Sequence, residues 1–475
     1  MPRANSIDFC TKPFIKKIVL YTIPLILTAL LQRLYNTADL IIVGQFCGKN
    51  SIAAVSATGS LVSMFTHLFI GMGTGASALV AKYIGAKKAK KVDAVAHTAL
   101  IVGFLSGVFV GVIGFITADF FMRIMGTPDD VRQLATIYLR IYFCGAPFNL
   151  LYNFGAGVLR ATGDTKRPLY ILTLSGLLNV GLNALFVTAV KMDVGGVALA
   201  TVLSQVLSAV LVVILLVKID GYGKISFRRL KPDGKAFLEI LAIGIPTGIS
   251  GMISDISGVI VQSSLNTFGT AAIAGSGAAG DIQGYLYVSM YSFGQTCLVF
   301  ISHNYGAGRT ENFWPIIRRC FLMIFAIEAT LGVLVIACPD PLLRIFNDDP
   351  EVIRFGRQRI YVVIPVCFLI GFCDTVAAAL RGMGRAFVST IVTIFNSCGV
   401  RLLLVYTLFA HFHTFFMLYI TFDITIVSMF LMNGTCLLLV SHKIKRVFAT
   451  SNANATDVPV PMSEAAATQN ESPAE

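Results

Sequence analysis

Twelve apolar runs of membrane-spanning length dominate this chain, centred near Thr28, Phe65, Gly107, Phe148, Gly176, Leu207, Asp255, Ser292, Thr330, Phe368, Phe395 and Met429. A helix needs about 20 mostly apolar residues to cross a bilayer, and no backbone polar group can stay unpaired in hydrocarbon. The pattern therefore points to an all-α integral membrane protein with twelve transmembrane helices. Composition agrees: 56% of residues are hydrophobic, 13% are charged and the mean hydropathy is +0.77, whereas soluble domains carry about 25% charged residues. No cleavable signal peptide is expected, because the first run is too long for a signal core and lacks a small-residue cleavage site after it.

The runs form the same set of six twice. A basic interruption from Lys218 to Lys235 separates the halves, and landmarks of the first recur in the second. Pro246 follows Pro24 by 222 positions and Pro365 follows Pro147 by 218. Three turns recur at 221: Ile84-Gly85-Ala86 as Tyr305-Gly306-Ala307, Arg123-Ile124-Met125 as Arg344-Ile345-Phe346, and Leu159-Arg160-Ala161-Thr162-Gly163 as Leu380-Arg381-Gly382-Met383-Gly384. An even number of helices per copy gives both copies one orientation, related by an axis along the membrane normal. The expected organisation is two pseudo-symmetric six-helix lobes, residues 1–217 and 236–448, joined by a cytoplasmic linker, 218–235. Residues 449–475, rich in Ala, Ser, Asn, Thr, Pro and Glu, are expected to form a disordered cytoplasmic tail.

A net charge of +12 raises the question of nucleic acid, but its placement answers otherwise. With the N-terminus inside, 26 Lys and Arg fall on the inner side and 9 on the outer, while Arg33 and Arg401 lie within helices. Positive-inside bias accounts for the charge and places both termini in the cytoplasm of a cell whose plasma membrane holds the chain. The basic lead, Met1 to Lys17, is expected to rest on anionic lipid. The ten cysteines include no Cys-x-x-Cys, and most sit in apolar runs as small hydrophobes.

Polar residues inside the spans are costly and mark function. In the first helix Gln32, Asn36 and Asp39 share a face expected to line a cavity, above a bend at Pro24. Asn179 and Asn183 stand one turn apart on the fifth helix, where such a pair either lines the same cavity or joins helices. Asp255, which follows Pro246 by nine residues, and Asp374 offer carboxylates in the second half, with Glu328 and Asp423 read as acids tied to an Arg or an amide. Arg33 and Arg401 are the available arginines. His67 reads as a hydrogen-bonded core residue. A buried carboxylate can exchange a proton, Na+ or an organic cation, the chemistry of an antiporter. No His-Glu-x-x-His, phosphate-binding Gly loop or nucleophile–base pairing points to an enzyme, and His411 with His413 supplies only two metal ligands.

The segment Tyr35-Asn36-Thr37-Ala38-Asp39-Leu40, the Gly85 and Gly306 turns and the two Leu-Arg-x-x-Gly turns together resemble the multidrug and toxic compound extrusion (MATE) family, from about Lys16 to Lys445. The resemblance implies two lobes around a cleft alternately open to either side. It also implies efflux of cationic or amphiphilic organic compounds in exchange for Na+ or H+, with no other cofactor and the chain acting as a monomer. By position, Asp39 and Asn179 match the family's amino-terminal site and Pro24 the proline at which the first helix bends. Asn183 stands where many members have Asp. Asp255 stands where sodium-coupled members often have Glu, and Asp374 lies one turn nearer Arg381 than the usual acid. A flippase or dedicated metabolite exporter of the same superfamily is the closest rival. A major-facilitator transporter would carry a Gly-x-x-x-Asp-Arg loop that is absent after the second helix.

Overall fold

The computed structural model describes residues 7–229 and 231–456. The first lobe comprises α1 (Phe14–Phe46), α2 (Lys49–Gly85), α3 (Ala89–Ile124), α4 (Asp129–Cys144 bent by 46° into Ala146–Ala161), α5 (Lys166–Ala189) and α6 (Val194–Lys218). The second comprises α7 (Gly234–Leu265), α8 (Thr270–Gly306), α9 (Phe313–Ala337), α10 (Pro350–Val366 bent by 45° into Phe368–Gly382), α11 (Ala386–Phe412) and α12 (Phe415–Thr456). Nine of these are long and apolar enough to cross a membrane as they stand, and the two bent pairs raise that to eleven among the described residues. The remaining one, α8, is too polar to qualify by composition, yet it runs 37 residues and packs as the counterpart of α2. The last helix continues to Thr456, into the segment expected to be a tail, and residues 457–475 of that segment lie outside the described residues.

The repeat is written in the backbone as well as the sequence. Left-handed conformations occur at Gly48 and Gly269, Lys87 and Gly308, Gly163 and Gly384, and Lys191 and His413, each pair 221 or 222 positions apart. The bends of α4 and α10 correspond in the same way. The π turns at Leu185–Ala189 of α5 and Val405–Phe409 of α11 correspond to within one residue of the same offset. Within the first lobe, Gly107 and Gly111 let α3 lie on the backbone of α4 at Ala146, Pro147 and Phe143. Small residues permit this close approach, which in a membrane replaces the hydrophobic force that drives helices together in water.

The Ile7–Pro13 turn, the Gly85 and Gly306 turns and the described residues of the 218–235 linker lie at one end of the molecule, called here the basic end. There the lobes meet backbone to backbone. A Cβ at Gly75 of α2 would stand 2.7 Å from the Ile240 carbonyl oxygen of α7, and one at Gly244 of α7 2.7 Å from the Met72 Cα. Gly248 faces the Leu68 carbonyl at 2.6 Å in the same sense. The repeated turns interlock as well, Gly85 against the His303 backbone and Gly306 against that of Lys82. Side chains then stitch the seam: Tyr83 donates to Glu239 at 2.5 Å, and the Thr22 and Thr296 hydroxyls pair at 2.8 Å. Toward the opposite end, Gly59, Gly258 and Gly277 of α2, α7 and α8 have no heavy atom within 4 Å of a built Cβ. The lobes are therefore pressed together at the basic end and part beyond it.

Gly75→Ala is expected to wedge this seam and cost about 1–3 kcal/mol, the scale of overpacking a tight contact. The unfolding midpoint of the purified protein should fall accordingly. Gly59→Ala, with open space around it, should leave the midpoint unchanged.

Candidate functional site

Inside the first lobe, Asp39 of α1 meets α5. The Asn183 amide donates a short hydrogen bond to the Asp39 carboxylate. The same amide nitrogen reaches Asn179 Oδ1 at 3.4 Å, and Asn179 donates to Thr201 Oγ1 of α6 at 3.4 Å. Asn183 is fully buried and its Oδ1 has no hydrogen-bond partner. The π turn of α5 begins two residues later, at Leu185, and such turns recur at functional sites because they re-aim neighbouring side chains. Tyr35 fixes the spacing of the two helices: its ring lies against Gly176, where any side chain would collide with it, and its hydroxyl donates to the Thr173 carbonyl at 3.3 Å. Among the described residues Asp39 has no ion-pair partner. The cluster is one carboxylate with neutral amide and hydroxyl oxygens around it, a donor set suited to a proton or a small hard cation.

The structure thus brings Asp39, Asn179 and Asn183 together. Gln32 and Asn36 are exposed on α1, and among the described residues neither side chain makes a hydrogen bond. Pro24 and Pro246 lie inside continuous helices, and their carbonyls accept from hydroxyls: Thr28 onto Pro24 at 2.6 Å, Thr390 onto Pro246 at 2.7 Å. Asp374 on α10 accepts from the Tyr287 hydroxyl of α8 at 2.9 Å, within the second lobe. Glu328 accepts from Ser289 at 2.8 Å. Neither Glu328 nor Asp423 has an ion-pair partner among the described residues, and both keep a buried oxygen without a hydrogen bond. The expected arginine ties are not formed, since Arg401 donates to Ser257 at 2.7 Å and lies over the Phe422 ring.

Asp255 and His67 have a role that sequence reasoning missed. Asp255 of α7 pairs with His67 of α2 at 2.7 Å, across the seam between lobes. Their side chains are 30% and 45% exposed, so His67 is not a core residue but sits at the edge of the parting. On the other flank Arg33 of α1 pairs with Asp281 of α8 at 3.2 Å and lies over the Tyr285 ring. Arg33 follows Pro24 by nine residues, as Asp255 follows Pro246. Equivalent positions of the two repeats therefore carry opposite charges, and each reaches the second helix of the facing lobe. Among the described residues no three His, Cys, Asp or Glu side chains gather as a metal site.

The MatE family pattern matches residues 24–185 and 246–407, one copy on each lobe. The chain belongs to the MATE family. Its relatives include a probable multidrug resistance protein, YoeA, of Bacillus subtilis, 28% identical over 399 residues that cover 82% of this chain and 86% of that protein. A FAD transporter of Shewanella oneidensis is 23% identical over 379 residues, 78% of this chain and 82% of its own. Among solved structures, an outward-facing multidrug resistance MATE transporter of the MOP superfamily superposes with a TM-score of 0.86 at 25% identity, over 92% of this chain and 98% of that one. The two-lobe, all-helical architecture is thus that of a multi-pass membrane transporter.

A double-mutant cycle over His67→Ala and Asp255→Ala should return a coupling energy of about 0.2–1 kcal/mol in unfolding stability, the scale of a partly exposed polar side-chain contact. His67→Ala combined with Asp281→Ala should be additive, since the two bridges share no partner.

Proposed function

We propose that this MATE-family protein is a secondary antiporter that exports cationic or amphiphilic organic compounds in exchange for H+ or Na+ by alternating access. In this reading the basic end faces the cytoplasm of a plasma-membrane cell surface, the chain acts as a monomer, and the form described is open to the outside. The observation that carries the reading is Asp39: a carboxylate inside the first lobe, bonded to Asn183 and, among the described residues, without an ion-pair partner. Burying a carboxylate is expensive unless its charge is neutralised, so the site holds a proton or cation. Rocking of the lobes would then expose it to either side in turn. The bridges His67–Asp255 and Arg33–Asp281 lie where the lobes part, the level about which such rocking turns. Asp374 is the corresponding candidate in the second lobe.

A dedicated metabolite exporter is the second reading, and the FAD transporter among the relatives supports it. An anionic substrate of that kind would require cationic groups lining the parting, and Arg33 is one such group there.

Proteoliposomes loaded with a fluorescent cationic dye, under separately imposed Na+ and proton gradients, test the proposal. Asp39→Asn is expected to lower gradient-driven efflux at least about tenfold, the loss of the carboxylate that binds the driving ion. Asp374→Asn should have a smaller effect. Full activity in Asp39→Asn with loss in Asp374→Asn would move ion coupling to the second lobe. No dye movement in folded wild-type protein under either gradient would leave the metabolite exporter standing.

A further inference from the structure

Ahead of α1, residues Ile7 to Pro13 form a compact turn instead of a loose lead. The Asp8 carboxylate accepts from the Cys10 amide at 2.9 Å and the Thr11 hydroxyl at 2.6 Å, and Lys17 donates to the carbonyls of Asp8 and Thr11 at 2.7 and 2.6 Å. Partial burial works against ionisation of Asp8, yet the Thr11 and Cys10 hydrogen bonds and nearby Lys17 hold its carboxyl below the ordinary range. The turn is therefore kept in shape by its own polar groups and presents Phe9 inward.

Phe9 is 4% exposed and sits on the seam between lobes. On the side of its own lobe the ring meets Tyr21 of α1, centroids 5.7 Å apart, and lies against Gly163 in the turn before α5. On the other side it stacks on the His303 imidazole of α8 at 4.2 Å and meets the Phe300 edge at 4.9 Å. His303 itself reaches back across the seam to the Ala161 carbonyl at 2.8 Å. The grip on the turn's backbone comes from the second lobe. Asn304 donates to the Phe9 carbonyl at 2.9 Å, and Arg309 and Asn312 each donate to the Cys10 carbonyl at 3.0 Å. Asn312 also donates to Asn304 Oδ1 at 2.8 Å, so the two amides hold one another in position.

The turn is covalently part of the first lobe and hydrogen-bonded to the second. It cannot stay attached to both if the basic end opens. We infer that residues 7–13 are an inner-gate strap, in which Phe9 plugs the seam and Asn304, Arg309 and Asn312 hold it, so that release of this strap is a required step of the transport cycle. The inference rests on the rocking-lobe reading above. Phe9, Asn304 and Asn312 are thus positioning residues that set how often the basic end opens.

The test uses the full-length protein in lipid nanodiscs, with genetically encoded spin-labelled residues at exposed Lys88 of the first lobe and Arg385 of the second. Deleting a buried aromatic ring shifts an equilibrium by tenfold or more. Phe9→Ala and Asn312→Ala are each expected to raise the population with long Lys88–Arg385 distances by at least about tenfold, while Phe9→Tyr, which keeps the ring, stays near wild type. A second label pair within the first lobe, at exposed Lys88 and Lys166, should not change in any variant, which separates gate opening from unfolding. In transport, Phe9→Ala should change the maximal rate without a matching change in half-saturating substrate. Unchanged distances in folded Phe9→Ala and Asn312→Ala would overturn the strap. If Gly75→Ala opens the basic end while these two do not, the failure is the strap's alone. If no variant opens it, the rocking reading fails and takes the strap with it.

Discussion

The fold depends on two backbones touching where side chains would ordinarily keep them apart. Gly75, Gly244 and Gly248 let α2 and α7 close on one another, and Gly85 and Gly306 do the same for the repeated turns. In hydrocarbon there is little hydrophobic gain from bringing helices together, so the area of close van der Waals contact largely decides which faces associate. Backbone contact at Gly75, Gly244 and Gly248, with open space at Gly59, Gly258 and Gly277, concentrates adhesion at one end of the molecule. The hydroxyl pair Thr22–Thr296 and the contacts of Tyr83 and His303 then add direction to a contact whose strength comes from packing.

Charge is used sparingly and asymmetrically on this frame. The two bridges that mark where the lobes part occupy equivalent points of the repeats, yet one repeat offers arginine and the other aspartate. Each pair is partly exposed, so its contribution is modest and reversible. A pair of that size can favour one arrangement of rigid lobes without locking it. Strong buried pairs would make a poor pivot, because breaking one leaves an uncompensated charge in a low-dielectric interior.

Much of this was legible in the sequence, and the rest was not for identifiable reasons. Span length, the 221-residue repeat and the turn motifs follow from hydropathy and self-comparison, which are local or one-dimensional signals. The Asp39 cluster was accessible because Asn179 and Asn183 are one turn apart and a first-helix acid is conspicuous. The partnership of His67 with Asp255 spans 188 positions and that of Arg33 with Asp281 spans 248, and no periodicity links them. His67 read alone as a core histidine for that reason. Phe9 was hidden in the same way, an aromatic residue in a polar, basic lead whose partners lie almost three hundred residues on. The π turns were invisible because their signature is a backbone hydrogen-bond register rather than a residue type.

Asn183 has a consequence for energetics that reaches past the geometry of its cluster. With amides at Asn179 and Asn183, the first-lobe cluster holds a single carboxylate, Asp39. One carboxylate neutralises one monovalent ion. Were that ion exchanged for one singly charged organic cation, each turnover would move no net charge across the bilayer. Such a cycle would be electroneutral: blind to membrane voltage and fed by the concentration gradient alone.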